Sequence, residues 1–314
     1  MIGRPNFSRR VEGFRFLRSD GKPNFSNRVY RVEKDLEVLA TRPPVVITPT
    51  TPFIEAIEKM HEKNVRSLIV VEGGGRYRGV LLVENAMSYL GGGELYNIVV
   101  EKLGSDFHKA MKEPVESIME KAYPFVFTDC KLPDLISLMV SENLSLVPIL
   151  RRDMTVHSVM SEHDIVKLIA EKRTGVKARE IMTPNIVTVE SSSPLVEALA
   201  RMVRAGLRRV FVENEVGQII GVLTAAMIVR FYGSHAAFKY VRKGYLEDTT
   251  SVPIREIGWQ QVHTVKPDED VGDVVVKMLD MNVGAVLVEE NDKIIGMISE
   301  RDVFYALAVP LEEG

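Results

Sequence analysis

Apolar and polar positions along the chain repeat in one order four times. In residues 181–227 and 257–302 a short apolar run comes first, at 186–189 and 262–265. Apolar residues at helical spacing follow: Leu195, Leu199, Met202 and Val203 in one, Val271, Val274, Val275, Met278 and Leu279 in the other. Two more apolar runs then flank a polar turn, 209–212 with 219–223 and 285–288 with 294–298, and a last helical pattern closes each segment. Residues 44–85 and 124–164 carry the same order. Such self-similarity is the signature of a repeated supersecondary unit. Each unit is predicted to run strand–helix–strand–strand–helix, which makes the chain α/β. Pro52, Pro133 and Pro194 mark equivalent helix starts, where a missing N–H is of no consequence. Asp270 takes that place in the fourth unit, and an acidic group suits a helix N-terminus.

The spacing also predicts the organisation. Gly79 to Gly221 and Pro52 to Pro194 are both 142 residues apart, so the first two units map onto the last two without net insertion. A unit of roughly 55–75 residues is small to bury its own sheet alone. Pairing is therefore expected: an N-terminal arm over 1–35, a first pair over 36–172 (units 36–92 and 114–172), and a second over 173–314 (units 178–232 and 252–310). Residues 91–113 read as a Gly-rich turn with a connecting helix, and 230–254 occupy the matching place. Gly73-Gly74-Gly75 and Gly91-Gly92-Gly93 lack the context of a phosphate-binding loop and are expected to be flexible turns.

One short motif falls at the same place in every unit, where the third strand hands over to the last helix. Unit four has Gly296-Met297-Ile298-Ser299-Glu300-Arg301-Asp302. Unit two has Ser158-Val159-Met160-Ser161-Glu162-His163-Asp164, keeping the hydroxyl and the acid without the glycine. Unit three, Gly221-Val222-Leu223-Thr224-Ala225-Ala226-Met227, keeps the Thr224 hydroxyl and loses the acid; unit one, Gly79-Val80-Leu81-Leu82-Val83-Glu84-Asn85, has an amide for the acid. With this motif the fourfold order resembles that of tandem cystathionine-β-synthase (CBS) domain proteins over about 36–310, a family that includes the γ subunit of AMP-activated protein kinase. The resemblance implies four CBS units (β-α-β-β-α) paired into two Bateman modules as a flat disc. It further implies a non-catalytic regulator that binds AMP, ADP or ATP in clefts between paired units and alters contact with an unidentified regulated protein.

The motif's chemistry can be argued directly. The Ser299 hydroxyl can cap the helix that follows, where exposed N–H groups attract anions. Asp302 lies one helical turn on, on the same face, and a carboxylate suits the vicinal diol of a ribose. Ser161 and Asp164 repeat the arrangement. The same spacing also describes a plain capping pair. The resemblance implies that the first strand and its preceding loop line the base: Ile257, Trp259, Val262 and Thr264 in unit four, and Met119, Tyr123, Phe125 and Phe127 in unit two. For Trp259, the single tryptophan, stacking on a base and packing in the core are both open. Just before the second strand stand Arg66 in unit one and Arg208 with Arg209 in unit three, against Ser145-Leu146 and Gly284-Ala285 in units two and four. Carried over from the family, Ser161 and Asp164 would work with Arg66, and Ser299 and Asp302 with Arg208 or Arg209. These arginines also read as solvated charges at strand starts.

Composition narrows the alternatives. Hydrophobic residues at 46% and charged residues at 26% are those of a globular protein. No apolar run reaches the roughly 18 residues of a membrane span, and Arg4, Arg9 and Arg10 lie among polar residues, without an apolar signal core. The single Cys130 excludes an intrachain disulfide and a Cys-rich metal site. The expectation is a cytoplasmic protein without cofactor or membrane contact. None of the six histidines has metal spacing; His163 reads as a solvated helix position that could also face a phosphate. No nucleophile–base constellation is found, so no enzyme is expected. Residues 1–34 hold nine Lys/Arg against three Asp/Glu, leaving the remainder at net −9. This arm carries Pro5-Asn6-Phe7-Ser8-Arg9-Arg10-Val11 and, 18 residues on, Pro23-Asn24-Phe25-Ser26-Asn27-Arg28-Val29. It suits docking on its own acidic body, on a protein partner, or on nucleic acid; a homodimer is likewise left open. A ligand of the S-adenosylmethionine type is the alternative to a nucleotide, because a sulfonium does not need the arginines.

Overall fold

Four helices share one apolar stripe, and it decides their packing. Buried residues fall at i, i+3, i+4 and i+7 in each: Phe53, Ala56, Ile57 and Met60; Leu132, Leu135, Ile136 and Met139; Leu195, Ala198, Leu199 and Met202; Val271, Val274, Val275 and Met278. Each fully buried large apolar side chain contributes about 1.5–3 kcal/mol, so these stripes hold the helices to their sheets. A computed structural model of the chain describes residues 43–167, 170 and 173–308. The basic arm over 1–34, both of its P-N-F-S segments and the boundary at residue 35 lie outside the described residues.

The repeat order is as predicted. Repeat one is β1 (Val46–Ile47), α1 (Phe53–Glu62), β2 (Ser67–Glu72), β3 (Arg76–Leu82) and α2 (Val83–Met87). Repeat two is β4 (Val126–Phe127), α3 (Leu132–Ser141), β5 (Leu146–Leu150), β6 (Val156–Ser161) and α4 (Glu162–Val166). Repeat three is β7 (Thr188–Glu190), α5 (Leu195–Arg204), β8 (Arg209–Glu213), β9 (Ile219–Thr224) and α6 (Ala225–Gly233). Repeat four is β10 (Thr264–Val265), α7 (Val271–Asp280), β11 (Ala285–Glu290), β12 (Lys293–Ser299) and α8 (Glu300–Ala308). Each forms a three-stranded sheet in chain order, with the first pair of strands parallel and the second antiparallel. All four antiparallel pairs shift register at the equivalent place, after Val70, Ile149, Val212 and Val288. A bulge there bends and twists the strand.

The helix starts differ from expectation by one position. Pro52 and Pro194 are the residues before the first helical turn rather than in it, while Pro133 lies inside the turn. Pro52 and Pro194 instead form short antiparallel bridges with Pro114 and Pro253. Asp270 caps α7, its carboxylate accepting the Gly272 N–H at 2.8 Å.

The described chain separates into two compact units. One combines Pro44–Tyr123 with Val187–Gln261, hence repeats one and three; the other combines Pro124–Ile186 with the chain from Val262 on, hence repeats two and four. Each thus takes one repeat from each half of the chain. In the first unit α1 packs on α6 and α5 on the turn over 88–92. Its core includes Phe53, Tyr89, Phe107 and Tyr232. A Cβ at Gly92 would lie 2.8 Å from the Leu199 carbonyl oxygen, so this glycine run is a packing contact rather than the flexible turn expected. Gly74 and Gly75, at φ +77° and +81°, do form a turn, between β2 and β3. In the second unit α8 packs on α4 and α3.

Candidate functional site

Four equivalent hydrogen bonds fix the strand-to-helix junctions. The N–H that opens the last helix donates to the carbonyl of the residue before the second strand: Val83 to Arg66 (2.9 Å), Glu162 to Ser145 (3.0 Å), Ala225 to Arg208 (2.8 Å) and Glu300 to Gly284 (3.2 Å). Arg66, Ser145, Arg208 and Gly284 are therefore the same position in four copies. Arg209 is one residue on, buried at the start of β8 and opposite Thr224 in the register. Both arginine-bearing repeats lie in the first unit, and both intact Ser-x-x-Asp motifs in the second.

Within the second unit the two motifs share one geometry. The Ser161 N–H and hydroxyl both donate to Asp164 Oδ2, at 2.9 and 2.6 Å. The Ser299 N–H donates to Asp302 Oδ2 at 2.8 Å, and the Ser299 hydroxyl joins it on the same oxygen. This satisfies an N–H at each helix start and holds the acid in the first turn, where the helix dipole favours a negative charge. The other Asp302 oxygen, Oδ1, accepts the Thr183 hydroxyl at 3.0 Å. Thr183 reaches it because its backbone bridges Met297 of β12. Sequence spacing gave no sign of this contact, since Thr183 belongs to the segment leading into repeat three. His163, read as solvated, pairs with Glu300 at 2.5 Å.

The first unit carries the altered motifs, and their side chains are committed locally. Asn85 is fully buried; its Oδ1 accepts the Leu82 N–H and its Nδ2 donates to Glu120 Oε1, both at 2.9 Å. Thr224 accepts the Met227 N–H at 3.3 Å. In each case the segment leading into the next repeat crosses the third strand, through bridges Val80–Glu120 and Val222–Gln260. The Glu120 carbonyl stands over Gly79, and the Trp259 indole stands over Gly221. Trp259 is half-buried against the first unit's core, as are Met119 and Ile257.

The remaining candidates are placed as follows. Tyr123 is buried, and its carbonyl accepts the Tyr77 hydroxyl at 3.0 Å. Burial raises the Tyr77 phenol above its ordinary value, so it stays a neutral donor. Phe125 meets Phe127 edge-on at 5.6 Å, and the Arg152 guanidinium lies 4.5 Å over the Phe127 ring. Val262 precedes β10, and Thr264 opens it, exposed. Arg208 Nε lies 3.9 Å from Glu84. Burial, then Asp134 and Asp129, raise the Cys130 thiol, which opposes the thiolate that reactivity requires. Among the described residues no cluster of three or more His, Cys, Asp or Glu could hold a metal ion, and no helix is long and apolar enough to cross a membrane.

Four β-α-β-β-α repeats with this junction define a class, and the comparisons agree. The CBS domain matches residues 34–92, 115–171, 178–234 and 254–309, and the chain belongs to the CBS-domain family. Protein MJ1225 of Methanocaldococcus jannaschii is 27% identical over 274 residues, spanning 85% of this chain and 96% of that protein. Its crystal structure, described as that of a proposed archaeal homologue of γ-AMPK, superposes with a TM-score of 0.79 over 86% of this chain and 99% of its own. A 33.4 kDa protein of the Thermofilum pendens ribosomal RNA operon is 26% identical over 84% of this chain and 88% of that protein. A conserved protein from Pyrococcus horikoshii, at 19% identity and a TM-score of 0.55 over 87% of this chain and all of its own, shares the fold.

Proposed function

We propose that the chain is a non-catalytic regulatory protein that binds AMP, ADP or ATP through the Ser161–Asp164 and Ser299–Asp302 motifs. The observation that carries this reading is the Asp302 carboxylate, which accepts a hydroxyl on each oxygen, from Ser299 and from Thr183. A ribose diol offers the same donor chemistry, and a carboxylate has lone pairs on both oxygens to receive it. The positive end of the helix dipole at each of these helix starts favours the anionic part of such a ligand. The description of MJ1225 as a proposed homologue of γ-AMPK supports the same reading. Ligand control then requires different affinity for two states of the protein.

A second ligand class is favoured by one observation. The repeats that keep the acid carry Ser145 and Gly284 where Arg66 and Arg208 stand in the others. An adenosyl sulfonium such as S-adenosylmethionine needs no phosphate partner. Thermal melting across AMP, ADP, ATP and S-adenosylmethionine separates the two classes, because a ligand at 100 times its Kd stabilises by about 2.7 kcal/mol. The nucleotide reading expects AMP, ADP or ATP to raise the melting temperature, and alanine at Asp164 or Asp302 to reduce that rise. Stabilisation by S-adenosylmethionine alone selects the sulfonium. No stabilisation by any of the four would refute both.

A further inference from the structure

The first turns of α4 and α8 face each other with their polar partners crossed. Glu162 opens α4 and Glu300 opens α8, and their side chains are only 2% and 7% exposed. Arg301, the second residue of α8, donates its Nε–H to Glu162 at 2.7 Å. His163, the second residue of α4, meets Glu300 at 2.5 Å. Each helix thus supplies one buried carboxylate and one nitrogen-bearing partner for the other. The first unit differs at the same positions: the opening residues are Val83 and Ala225, both in its apolar core, and the second residues are Ala226 and Glu84, which lies 3.9 Å from Arg208.

This difference follows the motifs. In both intact copies the order is capping Ser, buried Glu, His or Arg, Asp. The paired residues therefore occupy the two positions between the groups proposed to hold the sugar. Buried ion pairs are weak contributors to stability, and hydrophobic replacements are often as good or better. The first unit has apolar residues at both opening positions, where its motifs are altered. A polar, geometry-sensitive contact between the two intact motifs fits communication better than stability.

We propose that Glu162–Arg301 and His163–Glu300 couple the two motifs of the second unit, so that ligand held at Asp164 changes the affinity at Asp302 and the reverse. The four residues are positioning residues: they act through the first helical turn that carries each Ser and Asp. The proposal rests on the reading that these motifs bind a nucleotide. Coupling must be reciprocal, and couplings between sites usually amount to about 5–150-fold in affinity.

Calorimetric titration of the full chain with AMP tests it. Asp164→Ala and Asp302→Ala each leave one motif to be titrated alone. The expectation is that the wild-type isotherm departs from the sum of the two single-site isotherms by a shift of about five-fold or more. In Glu162→Gln/His163→Gln/Glu300→Gln/Arg301→Gln that shift disappears while AMP still binds. Should this variant lose its cooperative melt, alanine at Glu162, His163, Glu300 and Arg301 together copies the Ala225-Ala226 pair of repeat three and gives the same reading. A shift of unchanged size in the charge-neutral protein, or independent sites in the wild type, would overturn the coupling alone. A wild type without AMP heat would overturn the nucleotide reading and the coupling with it.

Discussion

Gly221→Ala is expected to be damaging out of proportion to one methyl group. Gly221 lies in β9, and a Cβ there would sit 1.9 Å from Trp259 Cδ1 and 2.4 Å from its Cγ. These atoms are at the root of the indole, so no turn of a flexible tip relieves the clash. Either the ring leaves its place over the strand or the Val222–Gln260 bridge, with N–H to O distances of 3.0 Å both ways, gives way. Overpacking of this kind costs about 1–3 kcal/mol. At roughly 2–4 °C per kcal/mol for a unit of this size, a mid-range loss lowers the melting temperature by about 4–8 °C. Trp259 is the single tryptophan, so its emission reports on its own displacement and is expected to shift to the red. In a Trp259→Ala background the alanine at 221 should be nearly harmless, giving a non-additivity of about 1–2 kcal/mol. An unchanged emission maximum together with an unchanged melt would refute the contact and the strand crossing built on it.

Other outcomes follow from the same geometry. Asn85→Asp restores the acid of the motif, yet it should destabilise by about 2 kcal/mol or more in urea unfolding, because a buried donor to Glu120 becomes a second carboxylate; an unaffected midpoint contradicts this. For Asp270, burial opposes ionisation, but the N–H groups of Thr174, Gly272 and Gly175 hold the carboxyl below its ordinary value. Its contribution is present above the unfolded pKa and is lost as pH falls through the folded one. Asp270→Asn should therefore be less stable than wild type at neutral pH, with the gap closing in acid; a gap independent of pH refutes the assignment. Gly92→Ala should lower the melting temperature, since its Cβ would meet the Leu199 and Met87 carbonyl oxygens at 2.8 and 2.9 Å; an unchanged melt would show that the turn yields freely.

What could be read from the residues was whatever is written in local spacing. The i, i+3, i+4, i+7 stripes and the strand pairs around polar turns fall where the apolar pattern placed them, because both periods are set by backbone geometry. The Ser-x-x-Asp spacing likewise fixed a hydrogen-bonded pair at a helix start. Contacts made across long stretches of chain had no such signature. Thr183 reaches Asp302 from 119 residues away, and Arg301 reaches Glu162 from 139. Nor did spacing show that repeats one and three, and repeats two and four, share compact units. The glycines at 91–93 misled for a related reason: absence of a side chain suits a turn and a close approach equally, and here Gly92 and Gly93 take the approach.

Equilibrium binding of labelled AMP, ADP and ATP to the wild type and to Asp164→Ala/Asp302→Ala puts the account at greatest risk. The carboxylates are predicted to be required: the wild type retains at least one of the three nucleotides, and the folded double variant retains none at the same concentrations. Equal retention by both proteins would contradict it.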